Sequence, residues 1–396
     1  MKTRIFALSL FVISAIGFAL FPSLQQAQAT AGHNSLSLDP PGHRIEVVFV
    51  LDTTSSMSGL IQAAKEKVWS IATSMASAQQ NPDIKIGLVA FRDRGDDYVT
   101  RLFDLSNDID SIYASLMDFK AEGGGDGPES VNQALDDAIN RISWSPDADV
   151  YKVAFLIGDA PPHMDYANDI KFPDTLVRAN QKGIIVNTIQ SGQNRATTPT
   201  WETIAQLGQG SFFQVEDSGN AVAVKTPFDK KLAELAGKLE QTRLYYGDDE
   251  AKKAQQKKQA ASAKLRVESS EAALARRATF NATGSGKLNF LGEGELVDAI
   301  TSGRIALEEI DKDDMPASLQ AMAPKQQKEL IEEQAQRRDA LKQEIEALSD
   351  SRTRYIKKQV GALGGAAESL DEKIYSAVKK QARTKGLIYD SDAASY

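Results

Sequence analysis

The 396-residue sequence contains no cysteine, only three histidines and three tryptophans, and few aromatic residues overall. Without cysteine the chain has no disulfide bond, no thiol nucleophile and no site for a lipid anchor on cysteine. Neither the His-Glu-x-x-His pattern of zinc proteases nor a Gly-x-Ser-x-Gly nucleophile elbow is present. Thiol catalysis is therefore excluded, and we predict that the chain is not an enzyme.

Basic residues are also fewer than acidic ones. The chain has 46 Lys and Arg residues against 54 Asp and Glu residues, which gives a net charge of −8. Proteins that bind nucleic acid generally use a basic surface to neutralise phosphates. We therefore predict no nucleic-acid partner.

The longest apolar run lies at the N-terminus. Two basic residues precede an apolar stretch from Ile5 to Phe21, Pro22 follows it, and Ala27-Gln28-Ala29 supplies small residues for cleavage. This pattern predicts a secretory signal peptide over residues 1–29, cut after Ala29, and a polar linker over residues 30–43. We expect a periplasmic or secreted protein with no membrane span after cleavage, and an uncleaved membrane anchor is the alternative.

A largely β-branched and aromatic run over residues 47–51 ends abruptly in Asp52, and alternate positions then carry oxygen at Asp52, Thr54 and Ser56. Such a run is typical of a parallel strand buried on both faces. Open α/β sheets bind ligands at the carboxyl ends of their strands. One carboxylate and two hydroxyls there suit a hard divalent cation, above all Mg²⁺. A turn or helix cap is the alternative interpretation.

Two later segments offer further acidic side chains. Gly123-Gly124-Gly125 precedes Asp126 and Glu129, which come just before a segment with helical periodicity. A flexible loop followed by a helix cap would give the same pattern. A further apolar strand, predicted over residues 151–157, is followed by Gly158 and Asp159. Asp159 therefore has the same strand-end placement as Asp52.

These motifs, in this order, resemble those of a von Willebrand factor type A domain with a metal-ion-dependent adhesion site. In that family an Asp-x-Ser/Thr-x-Ser loop, a Gly-rich loop and a later strand-end Asp surround one Mg²⁺ or Mn²⁺. The Gly-rich loop is more similar to the one in the A domains of integrin β-subunits, and it leaves open whether Asp126 or Glu129 is the ligand. The metal ligands that the resemblance implies are Asp52, Thr54, Ser56, Asp159 and either Asp126 or Glu129.

The resemblance covers residues 44–225, and strand-like segments alternate there with helical ones. This alternation predicts an α/β fold with a doubly wound, mostly parallel sheet and helices on both faces. An acidic segment, residues 92–97, follows the second predicted strand. Its carboxylates at Asp93, Asp96 and Asp97 could border the metal or hold a second cation such as Ca²⁺, but we favour a solvated hairpin tip.

We predict an α-helical region over residues 226–396, in which Asp248–Arg277 is rich in Ala, Lys, Gln and Glu, residues that favour helices. A heptad-like pattern over residues 324–359 has several polar positions, so it predicts a helical hairpin or a weak coiled coil. The predicted helices either pack on the A domain and on one another, or form a stalk or a homo-oligomer surface.

Two hypotheses for the function follow from these features. The first is an exported binding protein, in which a partner protein completes the coordination of the metal with a carboxylate. The alternative is a metal-dependent hydrolase or an accessory factor to a periplasmic metalloenzyme, since a bound dication lowers the pKa of its water. His163, four residues after Asp159, is interpreted as a loop histidine.

Overall fold

The computed structural model describes residues 43–125, 127–218, 224–362, 367–391 and 394–395. The predicted signal peptide, the linker up to residue 42 and Asp126 lie outside the described residues. Within the described ranges, no helix is long and apolar enough to cross a membrane.

In the part of the chain that the structure describes, six strands form one sheet in the order β3-β2-β1-β4-β5-β6, and the β2–β3 pair is its antiparallel pair. Their bounds are β1 Arg44–Asp52, β2 Asp83–Phe91, β3 Thr100–Ser106, β4 Tyr151–Gly158, β5 Ile184–Ser191 and β6 Gln209–Val215. The chain leaves β1 in one direction towards β2, whereas β4 lies on the other side of β1. The crevice between the carboxyl ends of β1 and β4 is thus a topological switch point, where such sheets bind ligands.

Five helices alternate with the strands and cover both faces of the sheet. They are α1 Ser58–Ala76, α2 Ile109–Asp118, α3 Val131–Asn140, α4 Phe172–Gln181 and α5 Thr198–Leu207. Because helices lie on both faces, every residue of β4 is buried, as the continuous apolar run predicted. The predicted α/β fold class is confirmed.

Eight further helices follow β6 within the described ranges. They are α6 Asp229–Glu240, α7 Asp249–Glu268, α8 Glu271–Ala282, α9 Lys287–Leu291, α10 Leu296–Thr301, α11 Ala317–Gln320, α12 Pro324–Ala362 and α13 Leu370–Ala382. Single 3₁₀ turns lie at Ser55–Met57, Leu307–Glu309, Lys312–Asp314 and Arg383–Lys385. Helices α7 and α8 pack on α2 and α1, so this region lies directly against the sheet domain.

The helical hairpin considered for residues 324–359 is not found, because α12 is one continuous helix of 39 residues. The heptad positions at Ile331, Arg338, Ile345 and Arg352 are all buried. Its neighbours are α6, α8 and α10 of the same chain. The two arginines are tolerated inside because each pairs with a buried carboxylate, as in Arg338 Nη2 with Glu295 Oε1 at 2.7 Å.

Helix α13 covers the sheet face that α1 also covers. Leu370, Ile374 and Val378 belong to the same hydrophobic core as Trp69 of α1 and Val47 of β1. The chain thus forms the sheet, then a helical region, and only then the last helix of the sheet domain. The domain core therefore needs residues that lie more than 300 positions apart.

Candidate metal centre

The loop after β1 gathers the oxygen atoms of the first motif. Asp52, the last residue of β1, is 1% exposed. Its Oδ1 accepts hydrogen bonds from the backbone N–H of Thr54 at 2.8 Å and from Thr54 Oγ1 at 2.7 Å. Thr54 Oγ1 lies 3.4 Å from Ser56 Oγ, and Ser56 is exposed. The carboxylate and the two hydroxyls therefore form one connected set at the strand end.

The Gly-rich loop brings Glu129 next to this set. Gly124 has φ +77°, and a Cβ atom placed on it would lie 3.3 Å from both Glu129 Oε1 and Thr54 Cβ. Glycine is the residue that adopts this conformation without strain and permits such a close approach. Glu129 and Thr54 consequently border the same glycine.

Two backbone hydrogen bonds fix the position of Glu129. Its N–H donates to the carbonyl of Pro161 at 2.9 Å, and its carbonyl accepts from the N–H of His163 at 3.0 Å. These two bonds join the Gly-rich loop to the loop that follows β4. The Glu129 side chain is 4% exposed, so its carboxylate is directed into the protein.

Asp159 lies directly after β4 and is half-buried. Its carbonyl accepts a hydrogen bond from Thr197 Oγ1 at 2.9 Å, which fixes the loop after β4. A Cβ atom on the preceding Gly158 would lie 3.1 Å from Asp52 Oδ2. The ends of β1 and β4 are therefore in close contact, as their adjacent positions in the sheet require.

The surroundings of this site disfavour the ionisation of its buried carboxyl groups. Burial raises the pKa of Asp52 to about 7, and Asp159 adds to the rise, although Thr54 and Arg92 counteract it. Burial raises the pKa of Glu129 to about 9, with further contributions from the negative charges of Asp52 and Asp93. The hydrogen bonds of the site therefore do not compensate the negative charge that ionised Asp52 and Glu129 would bring to it.

Two buried carboxylate oxygens of this site have no hydrogen-bond partner among the described residues. Asp52 Oδ2 and Glu129 Oε2 accept no hydrogen bond from any described residue. Buried polar atoms normally have a partner, so a missing one needs an explanation. A divalent cation is such a partner, because it would satisfy both oxygens and offset the repulsion between the carboxylates.

The donor set fits a hard cation. Carboxylate and hydroxyl oxygens are the ligands that Mg²⁺ and Mn²⁺ prefer. Among the residues described, no three His, Cys, Asp or Glu side chains are grouped so as to hold a metal ion. Two carboxylates and two hydroxyls would have to share the coordination with Asp159 or water, and Asp126 lies outside the described residues.

The acidic segment after β2 is part of this site, so the favoured interpretation as a solvated hairpin tip was wrong for Arg92 and Asp93. Arg92 is 4% exposed and Asp93 is 6% exposed. Asp93 accepts hydrogen bonds from Ser130 Oγ and Tyr166 Oη, each at 2.8 Å. Asp93 therefore ties the start of α3 to the loop after β4. The position of the segment at the carboxyl end of β2 was the sequence signal for this role.

Asp96 and His163 complete the surroundings. The Asp96 carboxylate accepts the N–H of Gly124 at 3.0 Å and so orders the Gly-rich loop. His163 is 6% exposed and stacks on Tyr166, with ring centroids 4.0 Å apart. Its Nε2 lies 3.4 Å from Asp93 Oδ2. His163 is thus buried beside the site. The interpretation of His163 as a loop histidine did not predict this burial.

Comparisons with known proteins agree on the domain. Residues 46–216 match the family model described as von Willebrand factor A domain. No curated protein matches the chain.

Solved structures give weak likenesses. A mussel byssus protein, proximal thread matrix protein 1 with a zinc-occupied MIDAS motif, is 17% identical with a TM-score of 0.35, over 44% of this chain and 42% of its own. The von Willebrand factor type A protein from Catenulispora acidiphila is 16% identical with a TM-score of 0.36, over 46% and 40%. The SpRpn10 VWA domain is 13% identical with a TM-score of 0.34, over 45% and 89%. The match thus spans about two fifths of the first two relatives. On the family match, residues 46–216 of this chain are a von Willebrand factor A domain.

Proposed function

We propose that this A domain binds one divalent cation of the Mg²⁺ or Mn²⁺ type and captures a partner protein through a carboxylate that completes the coordination. The observation that carries the proposal is the pair of buried, unpaired oxygens on Asp52 and Glu129. Thr54 and Ser56 would supply hydroxyl ligands, and Asp159 would contribute directly or through water. When bound, the cation supplies the positive charge that the site lacks.

Binding is favoured over catalysis by the same set of charges. Several carboxylates around a cation reduce its ability to polarise a substrate or to acidify bound water. His163 is 6% exposed and stacks on Tyr166, so its ring offers little accessible surface to a substrate. We infer a binding protein that is not an enzyme.

We further propose that the protein acts outside the cytoplasm, after removal of residues 1–29. The support is the basic start, the apolar stretch and the Ala27-Gln28-Ala29 cleavage pattern of the sequence. N-terminal sequencing of protein recovered from the periplasm or the medium should begin at Thr30. An intact Met1 in membrane fractions would contradict the proposal.

The metal proposal is tested by thermal unfolding of the mature chain in EDTA and in Mg²⁺, Mn²⁺, Ca²⁺ or Zn²⁺. A ligand at a hundred times its Kd stabilises the folded state by about 2.7 kcal/mol, which is a measurable shift. Asp52→Ala should abolish the shift. Asp97→Ala is the matched control, because Asp97 is an exposed carboxylate of the neighbouring acidic segment. Equal shifts in both variants would overturn the assignment of the ligands.

The partner proposal is tested by affinity capture from periplasmic extract in Mg²⁺ and in EDTA. Captured proteins that disappear both in EDTA and with Asp52→Ala are the expected result. Capture of the same proteins in every condition would show that the metal site is not the docking point.

A further inference from the structure

A cavity separate from the metal centre lies where the A domain meets the helical region. Its volume is about 600 Å³. Ligand pockets span roughly 300–1,000 Å³. The walls come from α1, from the segment before α6 and from the first turn of α8. Nothing in the proposed metal-dependent function uses this cavity.

Three buried cations cluster around it. Lys67, Arg276 and Arg352 are at most 4% exposed. Lys67 Nζ pairs with Asp371 at 2.7 Å, and Arg352 Nε pairs with Asp229 at 2.8 Å. Two of the three positive charges are therefore matched by buried carboxylates.

Arg276 is the exception. Its guanidinium makes one hydrogen bond, from Nη1 to the carbonyl of Glu66 at 3.3 Å, and its Nε has no partner among the described residues. The Glu66 carboxylate accepts from Ser270 Oγ at 2.9 Å and forms no ion pair with Arg276. The carboxylates of Asp371, Glu66 and Asp229 favour the charged form of Arg276 from a distance, and none of them forms a direct ion pair with it among the described residues. Burial, with Arg352 close by, lowers the pKa of Arg276 to about 10.

The amino end of α8 opens onto the same cavity. Helix α8 has 12 residues, its cap is Ser270, and Glu271 and Ala272 of its first turn line the wall. The first turn of a helix carries partial positive charge and exposed N–H groups, which favour anions. Lys225 adds an exposed cation at the rim. A cationic side chain and a helix end therefore converge on one cavity.

We propose that this cavity is an anion site for a phosphate group, bound by the Arg276 guanidinium and the amino end of α8. Arginine binds phosphate through paired N–H donors, and Arg276 is a buried cation whose Nε has no hydrogen-bond partner among the described residues. The cavity has room for more than the phosphate itself, so a phosphate ester fits it as well as the free ion. A bound phosphate would connect α1 of the A domain with α8 of the helical region.

The proposal is tested by isothermal titration of the full mature chain with inorganic phosphate and, separately, with glycerol 3-phosphate, at constant ionic strength. Saturable binding of either probe is expected, and tighter binding of the ester would identify an organic phosphate as the better ligand. Arg276→Gln should weaken the binding about tenfold or more, since hydrogen bonds to charged groups are strong. Arg354→Gln is the matched control, because Arg354 is an exposed arginine of α12.

A second variant keeps the test decisive if Arg276→Gln does not fold. Ala272→Asp places a carboxylate in the cavity wall and should abolish phosphate binding. Ala251→Asp, in the first turn of α7, adds the same charge to another helix start and should leave binding intact. Absence of saturable binding in the unmodified chain, or equal binding by all variants, would overturn the proposal without bearing on the metal centre.

Discussion

Replacing Asp52 by Asn should stabilise the metal-free protein, although Asp52 is almost completely buried and is part of the site. Asn keeps an oxygen that can accept from the Thr54 N–H and hydroxyl, and it removes the charge. The raised pKa means that the folded state resists ionisation of Asp52. The stability that the neutral Asp52 side chain gives the folded state is fully present below a pH of about 3.8 and is lost as the pH rises through about 7.

The magnitude follows from the pKa. One pKa unit corresponds to about 1.4 kcal/mol, so at about pH 8 the ionised Asp52 makes the folded state less stable by slightly over ~4 kcal/mol. At about pH 5 the loss is slightly under ~2 kcal/mol. Asp52→Asn should therefore stabilise the EDTA-treated protein by roughly 3 kcal/mol more at the higher pH. Saturating Mg²⁺ should reverse the order, because only the unmodified protein gains the ligand.

Urea unfolding in EDTA and in Mg²⁺, at both pH values, measures these differences. Asp110→Asn is the opposite control, since Asp110 is equally buried but Arg277 holds its pKa below the usual range despite burial. Arg277 Nε donates to Asp110 Oδ1 at 2.6 Å, and loss of one member of a buried pair typically costs about 3–5 kcal/mol. Asp110→Asn should thus destabilise most at the higher pH. If Asp52→Asn destabilises the metal-free protein equally at both pH values, the electrostatic reasoning is wrong.

Three further variants probe the site and the helical region. Glu129→Gln should stabilise the metal-free protein at neutral pH, because Glu129 is ionised in the unfolded chain there and its raised pKa means that folding must protonate it, and calorimetry should show weaker Mg²⁺ binding. Gly124→Ala should destabilise by about 1–3 kcal/mol because of its positive φ, whereas Gly125→Ala, with open space around it, should be nearly neutral in urea unfolding. Arg338→Ala should cost about 3–5 kcal/mol, seen as a lower Tm, because it leaves the buried carboxylate of Glu295 unpaired.

Each of these expectations has a contrary result. Unchanged Mg²⁺ affinity in Glu129→Gln would leave Asp126 as the acidic ligand from the Gly-rich loop. Equal effects of the two glycine substitutions would show that the close approach to Glu129 is unimportant. A Tm of Arg338→Ala equal to that of Arg337→Ala, whose side chain is exposed, would mean that the heptad arginine does not stabilise α12.

The sequence predicted the sheet domain because its signals are local. The apolar run before Asp52 identifies a strand buried on both faces, and a strand-end carboxylate at a switch point needs no distant residue to be recognised. The glycines before Glu129 and the Gly158-Asp159 pair are local signals of the same kind. These patterns placed both strand-end acids correctly at one edge of the sheet.

Only the tertiary structure determined the burial of side chains whose partners lie far away in the chain. The burial of Asp93 requires Tyr166, and the continuous burial of α12 requires carboxylates such as Glu295. Helix α13 was predictable as an amphipathic helix, but its place in the core beside Trp69 was not. Periodicity reports which face of an element is apolar, whereas only the folded chain determines which distant residue meets that face and which charge it neutralises.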